Sequence, residues 1–282
     1  MVGKFLEDAI SPVAREIGEG LADLVNLAFT PIQKLKYVRD QNLEDFKKKL
    51  ETRVKEIPEE KLTEAPPEIV GPILEDVGKY YHNQEYLRML FSSLISATMN
   101  LDKRAYVHPS YKAIIEQISS DEAKLLRYLF YHPYFKNWRY PLVGIKYIPG
   151  HIADEKKGTI IKKLKGGAIS IHGTSKSIKE FDLGFTLTNY VALDAFYAHC
   201  EEPWKFPQYI ENLTRLKILN VVIGKSLYHY EKEYGEIIQS EYIDSIIKNN
   251  FFAKNGKESF YVFPLNYYEI TGYGLDFLHC CL

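Results

Sequence analysis

Apolar positions recur at helical spacing along much of the chain, most clearly between Pro66 and Phe130. One stripe runs through Ile69, Ile73, Val77 and Tyr80, widened by Val70, Leu74 and Tyr81. A second holds Leu87, Leu90, Phe91, Leu94, Ile95, Thr98 and Leu101, following i, i+3, i+4, i+7. Tyr111, Ile114, Ile115 and Ile118 form a third, with Pro109 placed as its first helical residue, where a missing N–H costs nothing. Ser119 followed by Glu122 matches a capping box and predicts a fourth helix burying Leu125, Leu126, Leu129 and Phe130. Four such stripes cannot each face water, so they predict a packed helical unit.

The pattern changes on either side. Towards the N-terminus, Ser11-Pro12 and Thr30-Pro31 each set a capping hydroxyl before a proline. The first helix shows Val13, Ile17, Leu21, Leu24 and Ala28 on one side. The second shows Ile32, Leu35, Leu43, Phe46, Leu50 and Ile57, with a break expected at Asp40-Gln41-Asn42. Ile57 to Glu68, rich in proline and glutamate, reads as a linker. From Trp138 to Glu180, β-branched residues mix with glycines and predict short strands and turns, with lysines that discourage edge pairing.

The last hundred residues order as an amphipathic helix in PQYIENLTRLKIL, an apolar strand in ILNVVI, and a helix over Glu231 to Asn249. A strand in SFYVFPL and a final helix capped by Thr271 follow. That is a winged-helix-like layout. The fold class expected is therefore mainly α: N-terminal amphipathic helices and a four-helix unit, then a C-terminal winged-helix-like α+β unit. The expected segments are an arm over 1–62, a helical core over 63–137, a strand and loop insertion over 138–181, and the winged-helix-like part over 182–282.

Composition narrows the function classes. A net charge of −1 argues against a dominant electrostatic attachment to nucleic acid or anionic lipid. Cys200, Cys280 and Cys281, an odd number with two adjacent, do not make a disulfide framework and suit a reducing cytoplasm. The start lacks a signal-peptide core, and the longest uncharged run, Met89 to Leu101, is short of the ~20 residues a membrane span needs. A cytoplasmic, non-spanning protein is expected.

No catalytic, cofactor or metal constellation stands out. His199-Cys200 and His279-Cys280-Cys281 carry zinc-ligating types, but adjacent residues on a helix point about 100 degrees apart and can hardly share one tetrahedral site. KLKGGAISIHGTSKS lacks the spacing of a phosphate-binding loop, and no nucleophile elbow or H-E-x-x-H is present. Two candidate surfaces remain. Asn212, Arg215 and Lys217 on the expected recognition helix offer side chains that reach bases or phosphates, although acids surround them. Ile17, Leu21 and Leu24 offer an arm interface for packing, self-association or a membrane surface, the last disfavoured by the acidic polar face.

The wording of Pro66 to Phe130, and more loosely of Asn212 to Leu282, resembles the prokaryotic abortive infection alpha proteins. The resemblance implies a part in defence against phage and supplies no catalytic residues. The function expected is a non-enzymatic anti-phage protein acting through protein contacts, with a partner or by self-association. The alternatives are a winged-helix DNA-binding regulator and a membrane-perturbing effector working through the arm.

Overall fold

A computed structural model describes residues 36–80, 84–132, 138–149, 162–163, 168–170, 185–249 and 259–282. Contacts divide the chain into two compact units, Met1–Arg127 with Gly272–Leu282, and Tyr128–Thr271. The described part is mainly helical, as the stripes predict. The expected arm residues Ile17, Leu21 and Leu24 lie outside the described residues.

In the first unit the described helices are α1 (Lys36–Lys55), α2 (Pro67–Tyr80), α3 (Glu85–Thr98), α4 (Leu101–Arg104), α5 (Tyr111–Gln117), the first part of α6 (Ser120–Tyr131), and α11 (Gly272–Cys281). The expected break at Asp40-Gln41-Asn42 is absent, and α1 runs through it. Burial of Phe46 and Leu50 further along favours continued helix over the weak local preference of those three residues. The linker is non-helical up to Pro66 apart from one 3-10 turn at Glu59–Lys61, and its last two residues, Pro67 and Glu68, already open α2. It is fixed, with Ile57 and Ala65 buried and the Thr63 amide donating to Met99 O at 2.9 Å.

Helix α3 is the centre of this unit, touched by α1, α2, α5 and α11. Every residue from Leu90 to Thr98 is buried, so the helix is enclosed all round rather than on one stripe. Its hydroxyls answer that burial locally. Ser92 and Ser93 donate to Met89 O at 2.8 and 2.9 Å, and Thr98 donates to Ile95 O at 2.7 Å. Arg88, nearly buried, donates from Nε to Asp45 Oδ2 at 3.0 Å and ties α3 to α1. Helix α5 opens at Tyr111 rather than Pro109, because Pro109 and Ser110 form a turn in which the Tyr111 amide bonds His108 O. The capping box is present at α6: Glu122 Oε2 accepts from the Ser119 amide at 2.6 Å, and Ser119 Oγ accepts from the Glu122 amide at 3.1 Å.

The second unit is built on a sheet. Its strands are β1 (Arg139–Pro149), β2 (Lys162–Lys163), β3 (Ala168–Ser170), β4 (Phe185–Val191), β5 (Leu219–Val222), β6 (Ser259–Val262) and β7 (Leu265–Ile270). Strand β1 runs between antiparallel β4 on one side and β6 with β7 on the other. The segment from Ser259 to Ile270 follows β1 nearly end to end and is interrupted at Phe263-Pro264, where proline has no N–H to give the ladder. The Gly144 amide bridges that gap by donating to Pro264 O at 2.8 Å. Strand β5 pairs antiparallel with β7, and β3 parallel with β6.

The helices of this unit are α7 (Asp194–Tyr197), α8 (Phe206–Arg215), α9 (Glu231–Ile238) and α10 (Glu241–Asn249). The single helix expected over Glu231 to Asn249 is two helices. Ser240 separates them: its hydroxyl donates to Ile237 O at 2.7 Å and accepts from the Ile243 amide at 3.4 Å. Val143, Ile145 and Tyr147 of β1 pack with Tyr234 and Ile237 of α9 and Ile243 of α10 in one apolar cluster. At about 1.5–3 kcal/mol per fully buried large side chain, that cluster outweighs any single polar contact in the unit.

Candidate functional site

The most distinctive chemistry lies where β4 ends. After Val191 the chain continues Ala192-Leu193-Asp194-Ala195, and Asp194 opens the short helix α7. Asp194 is only 8% exposed, yet it is one of the residues lining a cavity of about 500 Å³. Tyr128, His132, Pro141, Leu193 and Tyr197 line it too, as do Lys232, Glu233, Glu236 and Ile237 from α9. Burial pushes the Asp194 carboxyl up to about 6, against a smaller downward pull from the Tyr268 hydroxyl and the residue's own backbone.

Tyrosines surround this carboxyl. Tyr268, fully buried on β7, stacks on Tyr140 of β1 at 5.1 Å between ring centroids and 21° between planes. Its hydroxyl makes no hydrogen bond of ordinary length, and its strongest polar neighbour is Asp194. Burial drives the Tyr268 and Tyr140 hydroxyls well above their ordinary range, so both stay neutral. Tyr140 donates to Leu129 O at 2.7 Å. Along the cavity, Tyr128 stacks on His132 at 4.4 Å and lies 6.3 Å from Tyr197. Among the described residues no cation is paired with Asp194. Lys232 lies 3.6 Å from Glu236 instead. A buried carboxyl whose burial favours its protonated form, in a cleft, has the physical marks of a functional group.

Asp194 belongs to no recognisable motif; its signal in the sequence is a lone acid inside the apolar run Val191-Ala192-Leu193-Asp194-Ala195-Phe196, where burial is expected for its neighbours and costly for it.

A second surface of this unit is aromatic. Phe196 and Trp204 are 38% and 58% exposed, and Phe196 meets Tyr242 edge-on at 5.1 Å. Trp204 and Tyr242, with Leu187 and Ile246, line an open hollow of about 450 Å³.

The residues expected to touch nucleic acid sit at the end of α8. Arg215 donates from Nε and Nη2 to Asn212 Oδ1 at 3.2 and 2.7 Å, so two of the three engage each other. Lys217 has φ of 63°, and the chain closes α8 around it: its amide donates to Thr214 O and the Ile218 amide to Leu213 O, both at 3.0 Å. This is a Schellman ending, with lysine at the left-handed position that glycine usually takes. Thr271, expected as a helix cap, donates its hydroxyl to Lys217 O at 2.6 Å.

Two other groupings carry less. Ser110 Oγ lies 2.7 Å from His108 Nδ1, the geometry of a nucleophile and base. The Ser110 amide also donates to that Nδ1 at 3.2 Å, which marks a local turn. Cys200, Cys280 and Cys281 are buried and not in disulfides, and burial pushes Cys280 up to about 11, away from the reactive thiolate. Among the described residues no group of three or more His, Cys, Asp or Glu side chains is placed to hold a metal, and no helix is long and apolar enough to cross a membrane.

A family model described as abortive infection alpha matches residues 38–281, which bears out the resemblance read from the helical stripes. No curated protein and no solved structure matches the chain.

Proposed function

The chain belongs to the abortive infection alpha family, and from that premise we propose that it acts in anti-phage defence through protein contacts, without a catalytic step of its own. A role in abortive infection follows from the family; the mechanism is the proposal. The observation that carries it is the pair of exposed aromatics Phe196 and Trp204 with half-buried Tyr242: Phe196 meets Tyr242 edge-on, and Trp204 and Tyr242 line an open hollow. Large aromatics cost free energy in water and are enriched where proteins dock. A cytoplasmic setting belongs to the same proposal.

The winged-helix reading of the C-terminal part is the second proposal, supported by α8 running into β5 and by the antiparallel pairing of β5 with β7. Its weak point as a DNA reader is charge: Arg215 is engaged by Asn212, and Glu211 is exposed on the same helix. The membrane-perturbing alternative rests on Ile17, Leu21 and Leu24, outside the described residues.

A plaque assay tests the reading in cells expressing the chain, its Trp204→Asp variant, or Arg215→Ala with Lys217→Ala, with circular dichroism confirming that each folds. Protection lost only with Trp204→Asp supports protein contact. Protection lost only in the Arg215 and Lys217 double variant would replace it with nucleic-acid binding.

A further inference from the structure

The cavity at Asp194 has a definite chemical character beyond the proposed mode of action. Among its lining residues is Asp194, more than nine-tenths buried, with the Tyr268 hydroxyl as its polar neighbour and no cationic partner among the described residues. Around it stand two further carboxylates, Glu233 and Glu236, against a single lysine, Lys232, which lies by Glu236. The wall is aromatic, running from His132 through Tyr128 to the half-exposed Tyr197. Each feature selects against an anion. A phosphate or carboxylate ligand would meet excess negative charge at short range, with one rim lysine to offset it. A cation meets a carboxylate to pair with and ring faces whose negative quadrupole attracts it. The volume, about 500 Å³, falls in the range of small-ligand sites, well above that of a trapped water.

We infer that this cavity is a binding site for an organic cation, a guanidinium or ammonium group that pairs with Asp194 and lies against Tyr197 and Tyr128. The cation pairs with the buried carboxylate and gains from the low dielectric around it, while its carbon chain covers Leu193 and Ile237. Lys232 lies 3.6 Å from Glu236 with its side chain 85% exposed, so it does not compete for Asp194. The same group occurs on a free diamine and on an arginine side chain of another protein, and the two sources differ in what surrounds the cation. This inference does not depend on the protein-contact reading, since it is tested on the purified chain without phage.

The test is isothermal titration of the full chain at neutral pH with agmatine, and separately with an acetyl-Gly-Arg-Gly-amide peptide, both at millimolar concentration. Agmatine binding with a weaker peptide response assigns a free small cation; peptide binding at least as tight assigns an arginine side chain. In either arm Asp194→Asn, nearly isosteric and lacking the charge, weakens binding roughly ten- to hundredfold, the worth of a charge-assisted hydrogen bond. Tyr197→Ala, at an exposed position, weakens it about two- to fivefold through lost cation–π contact. Trp204→Ala leaves it unchanged. Failure of both probes to bind, or equal binding by wild type and Asp194→Asn, overturns the inference.

Discussion

Tyr234 is fastened to Asn266 through its hydroxyl, which donates to the Asn266 carbonyl at 2.6 Å while accepting from the Leu227 amide at 3.0 Å. One buried oxygen thus joins α9, the loop before it and β7, and α9 carries the charged rim of the Asp194 cavity. The Asn266 side chain continues the link by accepting from the Gly224 amide at 2.8 Å. Tyr234→Phe leaves a buried carbonyl and an amide without that partner. It should cost about 1–3 kcal/mol in urea denaturation. A change of less than about 0.5 kcal/mol would mean that the hydroxyl is not a fastening.

Asp194 makes stability depend on pH in an unusual direction. Its folded value, about 6, lies above the ordinary 3.8, so the folded protein holds this proton more tightly than the unfolded chain does. Stability therefore falls as pH rises from about 4 to about 6 and stays at the lower level above that. The order of magnitude is about 3 kcal/mol. Tyr140 and Tyr268 stay neutral throughout and do not mask the effect. Asp194→Asn should lose this slope and gain stability relative to wild type at about pH 7 but not at about pH 4. Parallel wild-type and variant profiles across that range, measured by denaturation, would contradict it.

The capping box gives a sharper expectation. Ser119→Ala removes the acceptor of the Glu122 amide at the start of α6 and should cost about 1 kcal/mol. Ser119→Asp should retain most of it, because a carboxylate also caps and favours a helix N-terminus. Equal loss in both variants would show that the hydroxyl does more than cap.

Lys217 stands where glycine is easier. With φ at 63° it bears a strain that an L side chain pays and glycine does not. Lys217→Gly should raise stability by up to about 1 kcal/mol, read from the midpoint of thermal unfolding. A lower midpoint would show that the lysine side chain contributes contacts that outweigh its backbone.

The cores of the stripes in α2, α3, α5 and α6, the capping box at Ser119 and the apolar strand of β5 depend on neighbours within a few residues; they are legible in the sequence and present, whereas the ends are displaced. Leu101, read into the α3 stripe, is 54% exposed in α4, Phe130 is only half-buried, and α5 opens two residues after Pro109. Burial of Val70, Ile73, Leu74 and Val77 follows directly from their spacing. Long-range pairing is a different matter. Nothing in RYPLVGIKYI says that it lies between β4 and the β6–β7 segment, because an apolar strand fits either an edge insertion or a sheet centre. The stripe of α11 likewise does not say that Phe277 meets Tyr111 edge-on at 5.3 Å. The Asp194 site was hidden for the same reason: its tyrosines come from α6, β1, α7 and β7, which are brought together only by folding.

The most direct measurement of that site is the carbon-13 chemical shift of the Asp194 side-chain carboxyl followed through a pH titration of the full chain, with Asp194→Asn to assign the signal. The structure predicts a midpoint near pH 6, moving down when agmatine is added, because a bound cation favours the ionised form. A midpoint near 3.8 that agmatine does not move would mean that the carboxyl is solvated as any surface aspartate is, and that the cavity is not a cation site.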